Sequence, residues 1–150
     1  MSTDKTVTKD LMEVLADGQE GFMKGAAKLD ESDSPEIATV FRRLGQQRAS
    51  FYAELETMAK QYGDDLEESG SAAAKLHRGW MSLKDAISGS SAKGVVDAAE
   101  QGEDHAVAAY NGALDGDLSA DLRTLIQRQF TDVQAAHDTV RTLKEQLKAA

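Results

Sequence analysis

Apolar residues recur three and four positions apart along most of this chain, and no other feature constrains its fold as strongly. That rhythm places them on one face of an α-helix, whereas a half-buried strand would alternate every second residue. A first helix is expected over residues 8–29, with Leu11, Leu15, Gly18, Phe22, Ala26 and Leu29 on one face. The turn DESDSP follows, with Ser34 as N-cap and Pro35 at the first helical position. A second helix then runs over 35–62 along Ile37, Phe41, Leu44, Phe51, Leu55 and Met58, and Gly63 is its natural stop. A shorter helix over 71–88 carries Leu76, Trp80, Leu83 and Ile87. It is followed by helices over 92–114 (Val95, Ala99, Ala106, Tyr110, Leu114) and 120–148 (Leu122, Ile126, Phe130, Val133, Val140, Leu147), with Ser119 as a cap.

Composition agrees with an all-α protein: one proline, 41% apolar residues and only 5% aromatic. At 150 residues the chain fits a single domain over 1–150, preceded by a polar tail at 1–7. The formal charge of −9 argues against nucleic acid or an anionic membrane as partner, since both require a Lys/Arg surface. Without cysteine there is no disulfide framework, thiolate nucleophile or Cys-based metal site. Apolar runs stay far below the roughly 7–15 residues of a secretory signal or the about 20 of a membrane span, so the expected location is the cytoplasm.

A weak internal repeat suggests how the helices are arranged. A shift of 88 residues lays Leu11, Leu15 and Phe22 over Ala99, Glu103 and Tyr110. A shift of 89 lays Phe41, Leu44, Arg48 and Phe51 over Phe130, Val133, His137 and Val140. Two helical hairpins joined by a long connection give an up-down-down-up four-helix bundle, the plan of ferritin-like proteins. A connecting helix of about 18 residues spans roughly 27 Å, enough to carry the chain back along the bundle.

Three titratable residues interrupt the apolar stripes: Arg48 between Leu44 and Phe51, Glu103 between Ala99 and Ala106, and His137 between Val133 and Val140. In that arrangement all three fall at one level, with Leu15 as the fourth corner. A buried charge is costly unless paired, so the plain reading is an Arg48–Glu103 ion pair with His137 hydrogen-bonded beside it. The sharper reading is a metal site. Ferritin-like di-metal centres take one Glu from each of two helices and Glu-x-x-His from each of the other two. Gln134-Ala-Ala-His137 has that spacing with an amide in place of the carboxylate, and Glu103 would be the partner Glu. Leu15, Gly45 and Arg48 stand where the second half-site needs its ligands, which leaves at most a single iron, zinc or manganese on Glu103 and His137, helped by Gln134, Glu100 or water.

Elsewhere His77 reads as packed, and His105 and Glu20 as solvent-facing. The first helix carries Gly18, Gly21 and Gly25, each costing roughly 1 kcal/mol against alanine within a helix. A close neighbour should offset that cost, either Trp80 of the connecting helix or a second subunit.

The runs DGQEGF (17–22), QQRASFYAEL (46–55), LHRGWMSLK (76–84), EQGEDHAVAAY (100–110) and QRQFTDVQAAHD (127–138) resemble a bacterial family of ferritin-like four-helix bundles catalogued as a domain of unknown function. More distantly the plan is similar to rubrerythrins, bacterioferritins and DNA-protecting ferritins. The resemblance implies the bundle and brings no established activity. Only Glu103 and His137 match the superfamily's metal-binding pattern.

The expected function is that of a soluble, non-enzymatic bundle in a stress or accessory role, with no catalytic residue and a structural Arg48–Glu103–His137 layer. One alternative is a metal-binding protein using Glu103 and His137. The other is a module, or a homodimer, that docks a partner helix on the glycine face of the first helix.

Overall fold

The computed structural model describes residues 2–31, 34–60 and 91–149, which are helical apart from short turns and caps. Four helices follow one another: α1 (Ser2–Glu31), α2 (Pro35–Ala59), α3 (Ala92–Leu114) and α4 (Ala120–Ala149). Among the described residues there is no strand, and no helix is long and apolar enough to cross a membrane. The helix expected over 71–88, with Trp80 and His77, lies outside the described residues.

The helix ends show why the chain breaks where it does. Pro35 opens α2 at its first position, and Ser34 stands before it without a side-chain cap bond. The Ser34 carbonyl accepts from Ala38 N, while the Ser34 N–H donates back to Leu29 O at 2.9 Å and ties α1 to α2. Ser91 caps α3 through its hydroxyl, which accepts from Gly94 N. At the far end of α3, the Arg123 guanidinium donates to Leu114 O at 2.8 Å and Gly116 O at 2.6 Å. A cation there satisfies orphan carbonyls and opposes the negative end of the helix dipole.

The start of α1 departs from the expected tail at 1–7. The helix begins at Ser2 rather than at residue 8, because its first turn is held by a distant contact. Asp4 is only 6% exposed, and its Oδ1 accepts from Ser119 N at 3.0 Å, just ahead of α4. A carboxylate at a helix N-terminus fills an orphan donor and suits the dipole. Thr8 is fully buried one turn later. At its other end α2 reaches Ala59, with Lys60 as C-cap, and the remainder of the expected helix lies outside the described residues.

Among the described residues the buried apolar side chains form two clusters. One gathers Leu11, Val14 and Leu15 of α1, Phe51 and Leu55 of α2, Ala106 and Tyr110 of α3, and Leu122, Ile126 and Val133 of α4. The other gathers Phe22, Ala26 and Leu29 of α1, Phe41 and Leu44 of α2, Val95, Val96 and Ala99 of α3, and Ala136 and Val140 of α4. Burying one such large side chain contributes about 1.5–3 kcal/mol. Arg48 and Glu103 fall between the clusters in sequence on α2 and α3, so the apolar core is interrupted by a charged level.

Candidate functional site

Arg48 and Glu103 meet at that level as a bidentate pair. Arg48 Nη1 donates to Glu103 Oε1 at 2.6 Å and Nη2 to Oε2 at 2.7 Å. Their side chains are 2% and 0% exposed. The third guanidinium nitrogen, Nε, donates to Gln47 Oε1 at 3.3 Å. A planar fork matched to a carboxylate is the geometry in which two buried charges best offset their lost hydration.

The neighbours of the guanidinium explain two sequence features. Its carbon lies 5.3 Å from the Phe22 ring centroid, close enough for a cation–π attraction. Phe22 itself meets Phe41 edge-on, with centroids 5.3 Å apart. Gly18 lies against the same side chain: a Cβ there would stand 3.5 Å from Arg48 Nη1 and 3.7 Å from its Cγ, in ordinary van der Waals contact.

His137 does not join this layer. Its side chain is 16% exposed, and Nε2 lies 2.6 Å from Asp104 Oδ1 across the α3–α4 seam. Its Nδ1 lies 3.7 Å from Asp138 Oδ1. The inward position at that height belongs to Ala136, 3% exposed. One residue along a helix is a turn of about 100°, which carries His137 to the flank.

The other proposed ligands also point elsewhere. Gln134 is exposed. Glu100 accepts from Lys144 Nζ at 2.7 Å and has Arg141 Nε at 3.8 Å. The hydrogen bond to Glu100 holds the Lys144 ammonium above its ordinary pKa. Among the described residues, no three His, Asp or Glu side chains form a group able to hold a metal ion. His105 is exposed, and Glu20 is exposed and paired with Lys24 at 3.0 Å.

A second buried polar group has no counterpart in the sequence reading. Gln129 is fully buried, and its Oε1 accepts from the Tyr110 hydroxyl at 2.8 Å. Its Nε2 donates to Glu54 Oε1 at 3.0 Å and to Phe51 O at 3.3 Å. Arg128 Nη2 closes the group on Glu54 Oε2. The Tyr110 ring stacks on Phe130, centroids 6.1 Å apart. Burial pushes the Tyr110 phenol well above its usual pKa. Arg48 opposes that rise, while Glu54 and Glu103 add to it, so the two polar groups feel each other.

The glycines of α1 face this chain's own helices. A Cβ on Gly25 would fall 2.9 Å from Phe41 Cδ2 and 3.3 Å from Val95 Cγ1, and Gly21 is buried. Trp80 is outside the described residues. Gly25→Leu is therefore expected to lower stability by about 1–3 kcal/mol net of its better helix propensity. Urea denaturation measures this; a midpoint at or above wild type would mean that the face is open.

These features define a class, an all-helical protein whose four described helices surround a buried arginine–glutamate pair. The chain belongs to the family described as Domain of unknown function (DUF2383), whose model matches residues 6–116. That span includes Arg48 and Glu103 and ends ahead of α4, which carries Gln129 and His137. Comparison with curated proteins gives no match.

Proposed function

We propose that the chain is a ferritin-like, up-down-down-up bundle acting as a non-enzymatic accessory protein, with the Arg48–Glu103 pair as a structural element. The topology is supported by the make-up of the two clusters. One draws on the later part of α1, the earlier parts of α2 and α3, and the later part of α4. The other draws on the opposite parts. Helices α1 and α4 then run one way and α2 and α3 the other.

The observation that carries the structural reading is the occupancy of Glu103: both carboxylate oxygens are bonded to one guanidinium at 2.6 and 2.7 Å. A divalent cation on Glu103 would have to displace a resident positive charge, and the ring of His137 is engaged by Asp104. The donors present do not fit a metal held jointly by Glu103 and His137. Protein purified without chelators is expected to carry no stoichiometric iron, zinc or manganese, and titration with each ion to reveal no saturable site. One ion per chain, lost in His137→Ala, would overturn this reading and make redox or storage chemistry the function to test.

A further inference from the structure

Met23 of α1 is 42% exposed, the one large apolar side chain so exposed among the described residues. Its thioether is nonetheless seated. A Cβ built on Gly45 of α2 would lie 3.0 Å from Met23 Sδ and 3.3 Å from its Cγ, so the sulfur rests closely on the glycine and a larger residue there would push it outward by a few tenths of an ångström. Solvent reaches one side of the side chain while the neighbouring helix closes the other.

We propose that Met23 is a modification site for peroxides, whose oxidation to the sulfoxide loosens the α1–α2 contact. A sulfur lone pair attacks one oxygen of hydrogen peroxide or an organic hydroperoxide. The S–O bond forms as the O–O bond breaks, and the proton on the transferred oxygen passes to the departing hydroxide or alkoxide, giving water or an alcohol. Sulfur loses two electrons and the peroxide gains them. The product replaces a flexible apolar group by a polar, chiral one that methionine sulfoxide reductases can restore. The polar sulfoxide favours water over the apolar contact with Gly45, so the oxygen turns outward and draws the sulfur from its seat.

Other methionines provide the comparison. Met12 is 8% exposed in the core, and Met58 is half-buried; Met1 and Met81 lie outside the described residues. Oxidation susceptibility follows exposure. Under dilute hydrogen peroxide, peptide mass spectrometry of the full chain is expected to show Met23 oxidising about tenfold faster than Met12. Gly45→Ala, which displaces the sulfur outward, should raise that rate further.

The oxidised protein is expected to melt about 2–4 °C lower than the untreated protein, and Met23→Leu given the same peroxide should show no such drop. Equal rates at Met23 and Met12 would overturn the proposal. So would an unchanged melting temperature once Met23 is oxidised, or the same drop in Met23→Leu.

Discussion

Glu103→Gln is expected to lower folding stability by about 3–5 kcal/mol. The amide keeps the shape of the carboxylate and removes its charge, stranding a guanidinium whose side chain is 2% exposed. Phe22 can offset only part of that cost, since a cation–π contact contributes about 2 kcal/mol when desolvated. Urea denaturation reads the change as a shift in midpoint at constant slope. A second variant separates the cost of a broken pair from the value of an intact one. Replacing both partners with apolar residues, Arg48→Met with Glu103→Leu, should recover most of the loss, because neither charge is then left alone. The pair is structural in the sense proposed only if the single change costs far more than the double one. A loss below about 1 kcal/mol for Glu103→Gln would mean that water reaches the guanidinium and that the charged level is not closed.

The parts of this architecture that were legible in the sequence are those set by local rules. The start of α2 follows from Pro35 at its first position, and the span of α3 from the 3.6-residue period between flanking turns. The meeting of Arg48 with Glu103 follows from a different rule: a charge on a buried stripe needs a partner, and few candidates lie at the same level. Long-range and one-residue effects escaped. Asp4 holds the first turn of α1 through Ser119, 115 residues away, and hydropathy cannot register such a bond. Gln129 lies on the inward stripe of α4 with Leu122, Ile126, Val133 and Ala136, yet a neutral amide raises no alarm, and the adjacent Phe130 drew the stripe off by one position. The same ambiguity put His137 inside, where Ala136 packs. On a helix the difference between core and flank is about 100°, and only the packed partners decide it.

The pH dependence of a Tyr110→Phe variant tests the second polar group. The substitution removes a hydroxyl that donates to Gln129 Oε1 at 2.8 Å and leaves a buried amide oxygen without that partner. At neutral pH it is expected to cost about 1–3 kcal/mol. The alkaline behaviour is more specific. Burial first, with Arg48 opposing and the charges of Glu54 and Glu103 reinforcing, raises the phenol pKa far above its ordinary 10.0. The folded protein therefore keeps a proton that the unfolded chain releases. Tyr110's contribution is fully present below the unfolded pKa of 10.0 and is lost as pH rises towards the folded value. The loss is about 1.4 kcal/mol per pH unit. Wild type should thus lose its advantage over Tyr110→Phe as pH rises, while the lysines, common to both proteins, cancel in the difference. Denaturation of the two proteins side by side from about pH 9 to about pH 11 reads this directly. A stability gap that stays constant across that range would mean that the phenol ionises in the folded state as readily as in water, and that the Tyr110–Gln129 pair lies open to solvent.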